Sequence, residues 1–187
     1  MIEIFPLSPE RMDDMTTLFD GQAMTGDCWC MWWLIPMKAF HEAGAAGNKA
    51  AFKDVAHASE EPMGLLAYKH GKAVGWCAVG PRERYARAIK TPTYRGADLE
   101  EEGVWLAPCF YILPEVRGEG VATALLKAAV ELAQQHGASA LEGFPYEGDK
   151  RRSGGSIQVG VESLFNACGF ERLRKSSGSR VIMRKEV

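Results

Sequence analysis

The chain has 187 residues, 47% of them hydrophobic and 25% charged, with a net charge of −2, which predicts one soluble globular domain spanning residues 1–187. This charge gives no support for nucleic-acid binding, which needs a basic surface. No apolar run approaches the roughly 18 residues needed to cross a membrane, and the N-terminus lacks the basic and apolar regions of a secretory signal, so a cytoplasmic protein without a membrane partner is expected.

Hydrophobic periodicity and turn residues predict a mixed order of strands and helices. Residues 2–6 alternate like a strand, and Ser8 followed by Pro9 predicts a helix start. Residues 20–47 show no clean period and predict a long loop with helical pieces, after which Asn48 is expected to cap a second helix. The elements predicted further along are strands at 63–68 and 73–79, joined as a hairpin by residues 69–72, a strand at 104–113, a helix at 121–136, a strand at 139–144, a helix at 156–167, and strands at 170–174 and 180–184.

The cysteines argue against a disulfide framework. There are five of them, and an odd number in mostly apolar surroundings fits reduced, buried thiols. The Cys28-Trp29-Cys30 spacing lacks the second ligand pair of a zinc site, so no metal is predicted. A weaker hypothesis gives Cys28 and Cys30 a role in thiol redox chemistry.

The most informative segment is an apolar run at residues 109–113 that leads through a glycine turn into a helix. A glycine turn before a helix directs several main-chain N–H groups at one point, which favours binding of an anion. Arg117 adds a positive charge beside the turn. A tight strand-to-helix connection also requires glycine, so the turn alone does not decide between a structural and a binding role.

A dinucleotide-binding turn is the main alternative. Gly118 and Gly120 supply its first two glycines, but Thr123 stands where the third is required. Glu142 lies roughly where the acidic residue of that motif is expected, so this criterion does not exclude it. The position of the turn in the chain counts against a dinucleotide-binding role, because more than half of the chain precedes it. A Walker-type loop is excluded, since no Gly-Lys-Ser/Thr follows.

The turn and the order of elements around it resemble motif A of the GNAT superfamily of N-acetyltransferases, whose pattern is Gln/Arg-x-x-Gly-x-Gly/Ala. Arg117, Gly120 and Ala122 fill its three defined positions. Residues 164–170 and 181–184 resemble the closing segment of the same family. The resemblance therefore extends over nearly the whole chain, and motif A is its most specific part.

This resemblance implies an α/β fold of the mixed α+β kind, in which a central, mixed, mostly antiparallel twisted sheet of about six or seven strands is flanked by about four helices. It implies an enzyme that transfers an acetyl group from acetyl-CoA, as co-substrate, to a primary amine of a small molecule or peptide by direct attack on the thioester. A monomer or homodimer without metal is expected. Residues 75–82 and 109–112 are also similar to a bacterial GNAT subgroup whose substrate is undefined.

By the same resemblance, the strand before motif A would pair with the pantetheine arm through its main chain, and the loop amides would bind the pyrophosphate. The residues assigned to the cofactor in this way are Phe110, Tyr111, Ile112, Arg117, Gly118, Glu119, Gly120, Val121, Ala122, Gln158 and Phe165. The Glu119 side chain is expected to point to solvent, because a carboxylate turned inward would repel phosphate.

The proton-transfer groups depart from the family pattern. Phe165 stands where many GNAT enzymes carry a tyrosine as general acid, and phenylalanine has no proton to donate. Tyr111 is the nearest hydroxyl in sequence and is the candidate acid. Glu142 interrupts an apolar strand and is the candidate base, with an ion-paired strand residue as the alternative. A covalent role for Cys109 is less favoured than a buried thiol. These departures make a catalytically silent acyl-CoA-binding module the second hypothesis.

The segment between the first two predicted helices is rich in aromatic residues, and GNAT enzymes often line the acceptor pocket from that region. Trp29, Met31, Trp32 and Trp33 are therefore the candidate acceptor-binding residues, because such side chains form an aromatic cleft for an amine or an apolar body. A hydrophobic plug that completes the core under a long loop is an equally weighted alternative.

Overall fold

A mixed sheet forms the centre of the computed structural model, which describes residues 1–95, 97–148, 158–175 and 178–187. The sheet has seven strands in the order β1-β2-β3-β4-β5-β7-β6. Among the described strands, β4 and β5 are the one parallel pair, and the other neighbours are antiparallel. The strands are β1 Ile2–Pro6, β2 Gly64–Lys69, β3 Lys72–Pro81, β4 Val104–Ile112, β5 Ala140–Gly143, β6 Glu171–Lys175 and β7 Val181–Glu186. The mixed, mostly antiparallel sheet predicted from the sequence is confirmed.

Helices cover both faces of this sheet. They are α1 Met12–Phe19, α2 Thr25–Cys28, α3 Met37–Ala58, α4 Ala86–Ile89, α5 Val121–Gln135 and α6 Glu162–Ala167, of which α2 and α4 are single turns of 4 residues. One apolar layer joins the sheet to α1 and α3 through side chains such as Met15 and Phe52. The opposite layer joins it to α5 and α6 through Leu125 and Phe165. Within the described ranges, every helix is too short or too polar to cross a bilayer.

The hairpin between β2 and β3 follows directly from its turn residues. His70 and Gly71 both have positive φ, at 53° and 73°, as a type I′ turn requires, and this turn matches the right-handed twist of the flanking strands. Glycine accepts such a backbone without steric cost, which is why the sequence predicts the hairpin well.

The helix after the first long connection begins earlier than predicted. Helix α3 starts at Met37, and Gly44 interrupts it with φ 61° and ψ −173°. Asn48 lies inside the helix and is not its cap, so that prediction is wrong. The side-chain amide of Asn48 is buried and donates to the carbonyls of Asp27 at 3.0 Å and Phe40 at 3.3 Å. The first half of α3 is largely exposed, so its apolar period is too weak to predict a helix.

Helix α5 starts at Val121 as predicted, whereas the starts of α1 and α6 differ from the prediction. A short 3-10 segment at Pro9–Arg11 precedes α1, and Ser8 does not cap it; its hydroxyl accepts a hydrogen bond from the Arg11 guanidinium at 3.1 Å. Helix α6 begins at Glu162, whereas the predicted cap at Ser156 lies outside the described residues.

Candidate active site

Strands β4 and β5 separate after a short parallel contact, and this opens a gap in the sheet. Their pairing runs only from Val104 opposite Ala140 to Leu106 opposite Glu142. The register between β3 and β4 shifts where Ala107 and Pro108 of β4 together face one residue of β3. This is a β-bulge, which bends a strand, and Pro108 has no N–H with which to continue a ladder.

One main-chain edge of the outer half of β4 pairs with no other described strand. The Leu113 N–H donates to the Val74 carbonyl at 3.0 Å, and Ile112 lies opposite Gly75. Because hydrogen-bonded and non-bonded pairs alternate along an antiparallel ladder, the peptide groups of Phe110 and Ile112 point away from β3 and into the gap. The Ile112 carbonyl accepts a hydrogen bond from Arg117 Nε at 3.1 Å.

The turn after β4 concentrates main-chain N–H groups at the end of this edge. Gly118 and Gly120 have φ values of 84° and 83°, and a Cβ added to either would meet nothing within 4 Å. The first helical hydrogen bond of α5 runs from the Ala124 N–H to the Gly120 carbonyl. In the described part of the chain, the amides of Val121 and Ala122 donate to no main-chain carbonyl. Free N–H groups at the positive end of a helix dipole form an anion site.

The edge and the turn border one cleft with a volume of about 940 Å³, within the range of small-molecule and cofactor sites. Residues from β4, the glycine turn, the start of α5 and the segment before α6 line it, together with two residues that follow α1. The lining residues are Ala23, Met24, Phe110, Tyr111, Ile112, Val116, Arg117, Gly118, Gly120, Val121, Ala122, Thr123, Gln158, Gly160, Val161 and Leu164.

The acetyltransferase (GNAT) family model matches residues 29–147 of this sequence, which is more than half of the chain. The chain belongs to the GNAT acetyltransferase family. This match decides between the two interpretations of the glycine turn, since a GNAT motif A accounts for it without a third glycine.

Solved structures show the same fold. The PaiA N-acetyltransferase from Thermoplasma acidophilum, solved in complex with coenzyme A, is 14% identical with a TM-score of 0.56, over 100% of this chain and 99% of that one. The ribosomal-protein-S18-alanine N-acetyltransferase from Escherichia coli is 11% identical with a TM-score of 0.55, over 100% and 94%. The yncA protein from Salmonella typhimurium, solved with acetyl-CoA, is 13% identical with a TM-score of 0.53, over 99% and 93%. The comparison with curated proteins gave no match.

Two residues assigned to the cofactor from the GNAT resemblance lie outside the cleft lining. Glu119 forms an ion pair with Lys69 on the neighbouring hairpin, which agrees with a carboxylate turned away from the turn amides. Phe165 is fully buried behind the cleft, where its ring packs edge-on against Phe110 at 6.1 Å and Phe170 at 5.1 Å. Phe165 therefore supports the cleft wall from behind.

Several lining residues of this GNAT cleft were missed from the sequence. Thr123 follows Ala122 in the first turn of α5, so its place at the helix N-terminus was a usable signal. Met24 comes from a segment without periodicity, and no sequence signal indicated it. It contacts Gln158, whose carbonyl oxygen also lies 3.8 Å from the Cys109 thiol. The GNAT cleft is thus closed by segments far apart in the chain.

Glu142 belongs to a buried ionic network. Its carboxylate accepts a hydrogen bond from the Tyr94 hydroxyl at 3.3 Å and lies 3.7 Å from Arg82 and 3.4 Å from Arg184. Burial raises the pKa of the Glu142 carboxyl, against the lowering effect of the two arginines. Among the described residues that line the GNAT cleft, Glu142 is absent, and its role as a base stays a prediction.

Tyr111 lines the cleft from β4 and is only 6% exposed. Its ring packs edge-on against Phe19 of α1 at 6.0 Å. Burial raises the pKa of the Tyr111 hydroxyl, since the charged phenolate is poorly solvated there. Tyr111 is therefore protonated at neutral pH and has a proton to donate.

The four acceptor candidates fall into two environments. Trp29 and Met31 are 1% exposed, and the Trp29 ring packs against Phe19 at 5.4 Å and Phe52 at 6.0 Å. These contacts are those of a core plug. Trp32 and Trp33 lie at the edge of the same apolar layer, beside cationic side chains beyond the end of β5. The left-handed backbone of Trp29 and Cys30, with φ 44° and 56°, changes the direction of the chain before Met31.

The cysteines of this GNAT chain are free thiols. Burial raises the pKa of Cys28 to about 12. A hydrogen bond with Cys109 and burial raise the pKa of Cys30, although the Trp76 indole donates to its sulfur at 3.0 Å. Thiols with raised pKa values are rarely present as the reactive thiolate, which counts against redox chemistry at Cys28 and Cys30. In the described ranges, no cluster of metal-ligating side chains is found.

Proposed function

We propose that this GNAT chain is an N-acetyltransferase that moves the acetyl group of acetyl-CoA to a primary amine of a small molecule or peptide. The observation that carries the proposal is the continuity of the free β4 edge with the anion-binding turn. The strand edge followed by the anion-binding turn matches a pantothenate chain that ends in a diphosphate, because the amides of that chain can pair with a strand edge and its phosphates with clustered N–H groups.

In the proposed complex, the amides of Gly118, Gly120 and the first turn of α5 hold the pyrophosphate, with the Arg117 guanidinium as counter-charge. The pantetheine arm lies along Phe110 and Ile112, whose peptide groups face the gap. This placement leaves the thioester near the point where β4 and β5 separate. The N–H of Phe110, the gap-facing group nearer that point, would polarise the thioester carbonyl as the tetrahedral oxyanion forms.

The proposed reaction is a direct transfer. The neutral amine attacks the carbonyl carbon, a C–N bond forms, the C–S bond breaks, the nitrogen loses one proton and the thiolate gains one. Tyr111 or water supplies the proton to sulfur, because Phe165 has none to give. A direct role of Glu142 as base finds no support in the cleft lining, so the amine would enter neutral or lose its proton to water.

Isothermal titration with acetyl-CoA tests this proposal. Binding of the wild-type chain is expected, and Arg117→Glu is expected to weaken it about tenfold or more, because the change replaces a charge-assisted contact with repulsion. Lys127→Glu is the matched control, since it makes the same charge change at an exposed position of helix α5 that lies outside the cleft lining. Absence of binding at millimolar acetyl-CoA, or equal weakening by both changes, would contradict the proposal.

A catalytically silent acyl-CoA-binding module is the second candidate function. The observation in its favour is that the position of the usual GNAT tyrosine is filled by the fully buried Phe165. The two candidates differ in one measurement, the release of free thiol from acetyl-CoA in the presence of a library of amines. Release above the amine-free background supports the enzyme, and its absence with intact acetyl-CoA binding supports the module.

A further inference from the structure

Two arginines stack on aromatic rings beyond the end of β5. Arg180 lies 4.8 Å from the Tyr146 ring centre, 5.4 Å from Phe144 and 5.8 Å from Trp33. Arg87 lies 3.6 Å from the Trp32 ring centre and 5.9 Å from Trp33. We name this group, formed by Arg87, Arg180, Trp32, Trp33, Phe144 and Tyr146, the arginine–aromatic cluster. The Trp33 ring is the element that both cations share.

Within the described ranges, no carboxylate balances the positive charges of this cluster. In the part of the chain that the structure describes, no Asp or Glu lies at ion-pair distance from Arg87 or Arg180. Arg82, Arg84 and Arg184 do have such partners, whereas Arg11 and Arg174 donate to a hydroxyl or to main-chain carbonyls. Both cluster arginines are half-buried, and desolvation of an unpaired charge is costly. The arrangement therefore favours a bound anion.

A neutral donor in the same cluster also lacks an acceptor. The indole N–H of Trp33 is buried and has no hydrogen-bond partner among the described residues. Buried donors are nearly always satisfied in folded proteins. Arg87 donates to the Trp32 carbonyl at 2.7 Å and Arg180 to the Tyr146 hydroxyl at 3.4 Å, which leaves further guanidinium N–H groups to bind an oxygen.

The cluster lies on the α1 and α3 face of the sheet, beside the gap between β4 and β5. Phe144 directly follows β5, and its ring packs against Trp33 at 5.1 Å. The same apolar layer contains Cys109 and Tyr111 of β4, and Tyr111 lines the cleft proposed for acetyl-CoA. A molecule held by the cluster would thus approach the gap from the face opposite α5.

We infer that the acceptor amine carries a carboxylate, which the guanidinium groups of Arg180 and Arg87 bind while the aromatic rings contact the apolar part of the molecule. The inference rests on the proposed acetyl transfer and names its substrate class, an amino acid. A carboxylate is favoured because its planar oxygens match the edges of guanidinium groups whose faces are covered by rings. The positive charges of Arg87 and Arg180 would also lower the pKa of a nearby substrate amine, and this increases the fraction that is neutral and nucleophilic.

The first test compares amino acids with their own amides. Free thiol released from acetyl-CoA gives kcat/KM for the twenty common amino acids and the corresponding amino acid amides. The best amino acid is expected to exceed its amide by about tenfold or more, as for a charge-assisted contact. Arg180→Gln is expected to reduce this ratio about tenfold, and Arg180→Lys, which keeps the charge but not the planar fork, by less.

Arg172→Gln is the matched control. Arg172 lies on β6 of the same hairpin, is partly exposed, and already pairs with Glu162 and Glu147, so the change removes an equal charge away from the cluster. The acid-to-amide ratio of this variant is expected to equal that of the wild type. Thermal melts and acetyl-CoA titrations of every variant check that the fold and the cofactor cleft are retained.

A binding measurement separates failure of this inference from failure of the proposed function. N-acetyl amino acids and their amides are titrated calorimetrically into protein saturated with CoA. The acid is expected to bind more tightly than the amide, and Arg180→Gln to remove that difference. The inference would be overturned if the N-acetyl amino acid and its amide bound equally or not at all, or if Arg180→Gln left the acid-to-amide ratio of kcat/KM unchanged. It would also be overturned if kcat/KM for phosphoethanolamine exceeded that of the best amino acid. Absence of acetyl-CoA binding would instead overturn the proposed function.

Discussion

Glu142→Ala is expected to lower the free energy of unfolding by about 3–5 kcal/mol, the usual cost of removing one member of a buried ion pair. The side chain of Arg82 is only 5% exposed. Without Glu142 it would keep a hydrogen bond to the Glu101 carbonyl at 2.9 Å but lose its carboxylate. Arg184 would keep Glu101 and Glu186. Urea denaturation followed by circular dichroism measures the change.

The double variant Arg82→Met with Glu142→Leu is the control for this interpretation. Removing both charges together is expected to restore most of the lost stability, since neither partner is left buried and unpaired. A double variant as unstable as Glu142→Ala would contradict the role given to the pair. The raised pKa of Glu142 adds a pH signature, because its folded state holds the proton more tightly than its unfolded state. This contribution to stability is present at low pH and is lost as pH rises through the folded pKa; Glu142→Gln removes it.

Gly143→Ala is expected to destabilise the chain by about 1–3 kcal/mol or more, as overpacking of a tight core does. A Cβ at this position would lie 2.2 Å from Cε1 and 2.5 Å from Cζ of Phe165. Phe165 is fully buried and supports Phe110 of the cleft wall, so displacement of its ring is also expected to weaken acetyl-CoA binding. Denaturation and calorimetry measure the two effects.

Gly26→Ala provides the comparison for Gly143→Ala. A Cβ on Gly26 would have its nearest contact at 3.4 Å, to the Phe19 carbonyl oxygen, and little change in either stability or affinity is expected. Adding Phe165→Leu to Gly143→Ala should recover part of the stability by making room. If the smaller side chain gives no recovery, the contact between Gly143 and Phe165 is not the cause.

The parts of the fold that depend on short-range signals were predicted well from the sequence. His70 and Gly71 predict their hairpin because both must adopt positive φ. The turn at Gly118 and Gly120 predicts the strand-to-helix junction, since glycine, charge and the helical pattern of α5 coincide within a few residues. Nearly every residue assigned to the cofactor from this motif lines the cleft, and Glu119 is turned away as expected.

The remaining features depend on partners that are distant in sequence. Nothing in the sequence near Glu142 indicates that Arg82 and Tyr94 contact its carboxylate. Both residues belong to the segment between β3 and β4, which is polar in composition although it is partly buried. Trp29 and Trp33 are four residues apart and both buried, but Trp29 packs among core rings, whereas Trp33 also contacts the two arginines of the cluster. Residue type alone does not distinguish these outcomes, because burial is decided by the tertiary packing of each side chain.

The bulge at Ala107 and Pro108 has a consequence for how the protein behaves in concentrated solution. Beyond it, the peptide groups of Phe110 and the N–H of Ile112 are available on a strand that lies in the interior of the sheet order. Unsatisfied strand edges are templates for aggregation, and β1 and β6 are therefore not the only places where a foreign chain could add. A ligand that pairs with β4 would occupy these groups, and would therefore reduce self-association in addition to serving as a reactant.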